Sequence, residues 1–214
     1  MSLPEIQSVP SLLIRQKREM VELFGFETRN KYSIETESGQ VIGFAAEQQK
    51  GVLGFLFRQF LGHWRRFHFT VFDSNRTPVL RAQHPFRFFF QRMELFEKRA
   101  NGAEVSLGAL QQRFGILKRK IDIEDPNGNT LLRIESPLWR IWTFPVYINQ
   151  NGAVGPEVAV ISKKWGGLLK EAFLDADTFR VEFKQVGLTE TQRTLILAAG
   201  IFVDLQYFEQ KANH

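Results

Sequence analysis

The sequence contains no cysteine. Disulfides, thiolate metal sites, cysteine nucleophiles and palmitoylation are excluded with it. Long apolar runs are missing too. The stretch Leu195 to Val203 is apolar throughout but ends after nine residues at Asp204, whereas a bilayer span needs about 20 predominantly apolar residues. Tyrosine is scarce, with three against twenty-one phenylalanines. Phenylalanine brings apolar area without a hydroxyl to satisfy, which points to many inward-facing strand positions. Enzyme signatures are absent: there is no G-x-S-x-G, P-loop, H-E-x-x-H or dinucleotide fingerprint. The four histidines, His63, His68, His84 and His214, show no metal-ligand spacing. The opening Met1-Ser2-Leu3-Pro4 has no myristoylation glycine and no signal-peptide core. The expectation is a non-enzymatic cytoplasmic protein without a lipid anchor or cofactor.

What is present fits one folded unit. Hydrophobic residues make up 43% of the 214 positions, ample for a core, and no Pro/Ser-rich linker divides the chain. The charge balance, 28 basic minus 23 acidic or +5, favours acidic partners such as anionic lipid or nucleic acid without choosing between them.

The chain is organised around its end. Thr189 followed by Gln192 is a capping-box pair and predicts a helix start, with the helix running to about Glu209. Its middle is apolar on every face, with Gly200 beside Ala198 and Ala199 allowing close backbone approach. Such a helix needs an apolar environment on all sides, and the short run favours protein over lipid. Asp204 reads either as a buried, paired acid or, the preferred reading, as the point where the helix leaves that environment.

Before the helix the chain reads as strands. Residues 1 to about 10, with Pro4 and Pro10, are expected to be a flexible arm. Ser11 to Phe24 fits either a basic amphipathic helix or two short strands, and Gly51 to Trp64 a loop or short helix. Gly25 to Thr36 and Val41 to Ala46 flank the turn Glu37-Ser38-Gly39-Gln40 and read as a hairpin. Further strands are expected at Phe67 to Phe72, Val79 to Gln83, from Pro85 to Phe90 with Met93 to Phe96, and at Val105 to Gln112. Phe114 to Ile123, Thr130 to Ser136, Trp139 to Ile148, Val158 to Lys164 and Phe179 to Phe183 follow. Asn101-Gly102, Asp125-Pro126-Asn127-Gly128 and Asn149-Gln150-Asn151-Gly152 are turn signals. This is a meander of about twelve strands, an all-β barrel or sandwich.

Several stretches taken in order resemble the phospholipid scramblase family, within the wider tubby-like barrel group. They are Gly25 to Tyr32, Arg66 to Asp73, Ile134 to Pro137, Ile161 to Gly167, Glu171 to Phe179, and the helix end with Asp204, Phe208 and Glu209. The resemblance covers about residues 12 to 210. It implies a mainly β fold, a closed antiparallel barrel of about twelve strands around a buried C-terminal helix. A closed barrel has no free edges and can bury a helix on every side. The activities it implies are ATP-independent lipid movement between leaflets and a calcium response, and related barrels bind phosphoinositide headgroups. Where animal scramblases carry palmitoylated cysteines, the stretch near Gly54 to Trp64 has Phe, Leu and Trp.

Three sets of residues are candidate sites. Arg58, Trp64, Arg65 and Arg66, beside Phe55, Leu56, Phe57, Phe60 and Leu61, read either as a membrane-surface patch or as a loop packed on the barrel. Lys163, Lys164 and Trp165 suit a lipid headgroup or a nucleic-acid backbone, or end a strand in solvated lysines. Asp175 and Asp177 fall where the family's proposed calcium segment begins. A calcium loop needs oxygen ligands at positions 1, 3, 5, 7, 9 and 12; counted from Asp175, position 5 is Phe179 and position 12 is Val186. These two acids therefore read as a structural turn. The function expected is a scramblase-related protein acting peripherally at an anionic membrane surface. The alternative is a regulatory module binding protein or nucleic acid. The oligomeric state is left open.

Overall fold

In the computed structural model, residues 3–17, 30–48, 67–164, 178–184 and 187–208 are described. Twelve strands form a closed antiparallel barrel. They are β1 (Ser11–Gln16), β2 (Lys31–Thr36), β3 (Val41–Gln48), β4 (Phe67–Asp73), β5 (Pro78–His84) and β6 (Arg92–Lys98). The second half is β7 (Glu104–Arg113), β8 (Lys118–Glu124), β9 (Thr130–Pro137), β10 (Thr143–Gln150), β11 (Ala153–Lys164) and β12 (Thr178–Phe183). Each strand pairs with its neighbour in sequence, and β1 closes the circle against β12, with Leu12 opposite Val181 and Ile14 opposite Phe179.

One helix, α1 (Glu190–Tyr207), fills the lumen. Its start is the capping box read from the sequence: Gln192 N–H donates to Thr189 Oγ1 at 3.2 Å, and Thr189 N–H to Gln192 Oε1 at 2.9 Å. Leu195 through Val203 are all buried, packed against inward residues such as Ile14, Ile121, Ile134 and Val181. At Gly200 the helix comes closest to the wall. A Cβ there would lie 2.7 Å from Ile14 Cδ1 and 3.3 Å from Val181 Cγ2, so a larger side chain would force the Ile14 side chain to move. Asp204 is also inside, 1% exposed, and accepts a hydrogen bond from Tyr32 Oη at 2.6 Å. The helix does not leave the barrel there, because it continues for another turn.

The outer wall spends its charges on cross-strand pairs. From β6 to β9 an alternating ladder runs Arg92, Glu124, Arg113, Asp122, Arg133, with N–O distances of 2.7–2.8 Å. Glu124 and Asp122 are buried beneath these guanidinium groups. Pairing of this kind satisfies acids that would otherwise cost several kcal/mol each to bury.

An antiparallel meander sends alternate connections to opposite ends. At one end lie the hairpins at residues 37–40, 74–77, 99–103, 125–129 and 151–152. The N-terminal segment closes this end. In place of the expected flexible arm, Pro4–Gln7 form a 3-10 turn, and Leu3 and Ile6 are buried. Arg193 of α1 holds the segment by donating from Nη1 to Ile6 O at 3.0 Å and Val9 O at 2.8 Å. Burial lowers the pKa of this guanidinium, and Phe183 covers it at 4.4 Å. Two apolar anchors and a two-carbonyl clamp outweigh the freedom that the two prolines suggest.

At the other end the connections among the described residues run through residues 85–91, 114–117 and 138–142. The strand expected from Pro85 to Phe90 is a loop here, and β6 begins only at Arg92. Three consecutive phenylalanines cannot all face inward on a strand of period two. Residues 114–117 and 139–142 likewise precede their strands, which start at Lys118 and Thr143. Of the segment Ser11 to Phe24, Ser11–Gln16 is a strand. The remainder beyond Lys17, and Gly51 to Trp64, lie outside the described residues.

Candidate functional site

Twelve large apolar side chains are exposed among the described residues, and ten of them sit on these three loops. Phe86, Phe88, Phe89 and Phe90 come from 85–91; Phe114, Ile116 and Leu117 from 114–117; Leu138, Trp139 and Ile141 from 138–142. The other two, Val41 and Val154, flank hairpins at the opposite end. Phe89 is 80% exposed, Ile116 79% and Trp139 71%. Large apolar side chains gathered at one end of a surface, rather than scattered singly, point to an interaction site.

The loops are fixed to one another. Gln112 N–H donates to Gln91 O at 2.8 Å, and Gln111 Nε2 to Phe90 O at 3.0 Å. Phe90 and Phe114 meet edge to face, with centroids 6.4 Å apart. Leu138 N–H donates to Leu117 O at 3.1 Å. Ser136, buried in β9, donates to Thr143 O at 2.7 Å and Arg140 O at 3.2 Å, fixing the last loop. Phe90 itself has φ +49°, a left-handed conformation that costs a bulky residue about 1 kcal/mol or more. Exposed Arg87 and Arg140 interrupt the apolar tips, so the rim combines rings with cations.

Beneath the rim is the mouth of the barrel, where α1 ends. Trp142, Phe144, Phe179, Tyr207 and Phe208 form one aromatic cluster: Trp142 stacks on Phe208 at 5.4 Å, and Phe144 on Tyr207 at 5.7 Å. Two wall cations point into it. The Arg119 guanidinium lies 5.2 Å from the Tyr207 ring and 5.6 Å from Phe144. Burial pushes the Tyr207 hydroxyl pKa up, while Arg119 and a hydrogen bond with Gln112 oppose it.

Of the residues singled out in the sequence, Lys163 and Lys164 are described, and they face opposite sides of β11. Lys163 turns inward onto the rings of Phe208, Phe179 and Trp142. It is therefore not a solvated strand end, because its β-register places it with the core residue Ile161. Lys164 turns outward toward Glu37, at 3.9 Å. Arg58, Trp64, Arg65, Arg66, Trp165, Asp175 and Asp177 lie outside the described residues. Among the described residues there is no cluster of three metal-ligating side chains, and no helix is long and apolar enough to cross a membrane. The rim was missed in the sequence because Phe86 to Phe90 looks like a core strand. The available signals were Pro85 before it and the lack of alternation within it.

A family model described as Scramblase matches residues 1–210. Phospholipid scramblase 2 of Bos taurus is 30% identical over 214 residues, covering 95% of this chain and 70% of its own length. The Homo sapiens protein of the same name is 27% identical over 215 residues, covering 96% and 69%. A solved Arabidopsis thaliana protein aligns with 96% of this chain and 94% of its own at 11% identity and TM-score 0.49, a likeness too slight to carry argument. Matched along almost its whole length, the chain belongs to the scramblase family.

Proposed function

We propose that the loop end of the barrel docks on anionic phospholipid membranes, as a peripheral, scramblase-related protein. The observation that carries this reading is the segregation of exposed Phe, Ile, Leu and Trp to that end, with Arg87 and Arg140 among them. Aromatic and aliphatic side chains enter the interfacial region of a bilayer while cations meet its phosphates. Burying a large apolar side chain contributes about 1.5–3 kcal/mol. Phe89, Ile116 and Trp139 alone would then supply more than half of the roughly 8 kcal/mol that micromolar binding requires. Each cation near an anionic surface adds about 1 kcal/mol and is screened by salt. The relatives' names supply phospholipid as the ligand class. Arg58, Trp64, Arg65, Arg66 and Trp165 are carried as further contacts on sequence grounds, and movement of lipid between leaflets as the activity to assay in the same vesicles.

The test is co-sedimentation with vesicles of phosphatidylcholine, with and without phosphatidylserine. Wild-type protein should pellet with the anionic vesicles, less so at high salt. Phe88→Ser/Phe89→Ser/Trp139→Ser should fold normally and lose binding by about a thousandfold or more. Unchanged binding of the triple variant would rule out the rim. Binding to nucleic acid or a protein with no vesicle binding would favour the interaction-module reading instead.

A further inference from the structure

At the barrel mouth, three rings converge on one ammonium. Lys163 Nζ lies 4.4 Å from the ring centroid of Phe208, 5.7 Å from Phe179 and 5.8 Å from Trp142. All three distances are within the range where a ring face attracts a cation. The arrangement is built by strand register. Lys163 stands opposite Phe179 across β11 and β12, and its N–H donates to Trp142 O at 2.9 Å. Trp142, Lys163 and Phe179 are therefore one row across adjacent segments of the wall, and Phe208 at the end of α1 caps the row.

The surroundings favour positive charge for a second reason. The carboxyl end of α1 points here, and its last turn holds no basic residue. The negative end of the helix dipole is met by cations from the wall, Lys163 and Arg119. The cage is not sealed, since Lys163 is only half-buried. A lysine ammonium is compact and strongly hydrated. A trimethylammonium group is larger and carries no N–H to keep solvated, so it gains more from ring faces and loses less on leaving water.

We propose that Trp142, Phe179 and Phe208 form a site for the quaternary ammonium of a choline headgroup, occupied by the Lys163 side chain until a ligand displaces it. This rests on the reading that the loop end meets phospholipid. On binding, the trimethylammonium takes the place of Lys163 Nζ, and the displaced lysine, on a flexible stem, pairs with the phosphate of the same headgroup. Arg119 stands on the same aromatic cluster, and its Nη1 is buried with no hydrogen-bond acceptor among the described residues, which leaves a second donor for that phosphate. The same chemistry serves free phosphocholine and a phosphatidylcholine lipid.

Calorimetric titration with tetramethylammonium and with phosphocholine separates the parts. Lys163→Ala, which empties the cage, should bind tetramethylammonium about tenfold more tightly than wild type, and Lys163→Ala/Trp142→Leu should lose that gain. Phosphocholine should bind wild type more tightly than tetramethylammonium does, and Lys163→Ala should narrow this difference. Lys163→Ser keeps the strand position polar while also emptying the cage, and should behave as Lys163→Ala does, should the alanine variant fail to fold. A folded Lys163→Ala or Lys163→Ser that binds tetramethylammonium no better than wild type, or as well without Trp142, overturns the proposal. Vesicles of phosphatidylcholine and of phosphatidylglycerol supply the membrane arm. A gain in solution with no vesicle binding by any protein would remove the membrane reading and leave a soluble choline site. Vesicle binding with no gain in solution would remove the choline site alone.

Discussion

At one end of the barrel the connections are short polar hairpins; at the other the three described connections are apolar loops that face outward. Most left-handed positions in the hairpins fall on residues suited to them, such as Gly39 at φ +85°, Gly128 at +85° and Asn151 at +52°, with Arg76 at +64° the exception. Their side chains bond their own turns. Asp125 Oδ1 accepts from the Asn127 and Asn129 amides at 2.8 Å each, and the Asn129 side chain leads in holding that carboxyl below its usual pKa. Arg193 then ties the N-terminal segment across this end. At the loop end a phenylalanine, Phe90, takes the left-handed position, and ten large apolar side chains stand in solvent. Each end holds one bulky residue in left-handed backbone, Arg76 and Phe90; what sets the loop end apart is a concentration of exposed apolar side chains that a fold alone does not require. Such departures gather at functional sites.

The largest effect expected is on the core that both ends share. Ala199 is fully buried in α1, so Ala199→Arg places an unpaired charge in the lumen and should abolish the folded state. Loss of near-ultraviolet circular dichroism would show it; a folded variant would mean that the lumen is less tightly filled than described. Next is the clamp at the hairpin end. Arg193→Met leaves the Ile6 and Val9 carbonyls without their donor and should cost about 2–3 kcal/mol in urea unfolding, with vesicle binding unchanged. A variant as stable as wild type would remove the clamp from the account.

Two substitutions at left-handed positions sharpen the comparison further. Phe90→Gly relieves backbone strain and should stabilise the protein by about 0.5–1 kcal/mol, yet weaken vesicle binding. Gly128→Ala, at φ +85° with open space around the added Cβ, should cost about 1 kcal/mol and leave binding alone. If both changes moved stability the same way, the contrast between the ends would fail. The smallest effect concerns calcium. Asp175 and Asp177 supply at most four oxygens on their own, against the six to eight that calcium prefers. Titration of metal-free protein should give only weak heat that persists in Asp175→Asn/Asp177→Asn; micromolar binding abolished in that variant would establish a site.

The parts of the fold legible in the sequence were those set by local chemistry. Thr189 and Gln192 announce the helix start, nine apolar residues announce its burial, and Asp125 to Gly128 announces a hairpin. The rim was not legible, because an apolar run such as Phe86 to Phe90 has the same composition whether buried or exposed. The aromatic cage was hidden for a different reason. It needs the pairing of Lys163 with Phe179 and the arrival of Phe208 from the end of α1, contacts that spacing along the chain does not reveal. Arg193 and Ile6 are joined in the same way, by a helix threading the barrel, and so Pro4 and Pro10 alone suggested a free arm.

Because the chain has no cysteine, one introduced thiol can report from each end of the barrel. Phe89→Cys on the loop end and Asn127→Cys on a hairpin would each carry an environment-sensitive fluorophore, mixed with phosphatidylserine-containing vesicles. The account predicts a blue shift and enhanced emission at position 89, reduced by high salt, with no change at position 127. A shift at position 127 alone, or at neither position while the protein co-sediments with the vesicles, would contradict the assignment of the loop end as the membrane-facing side.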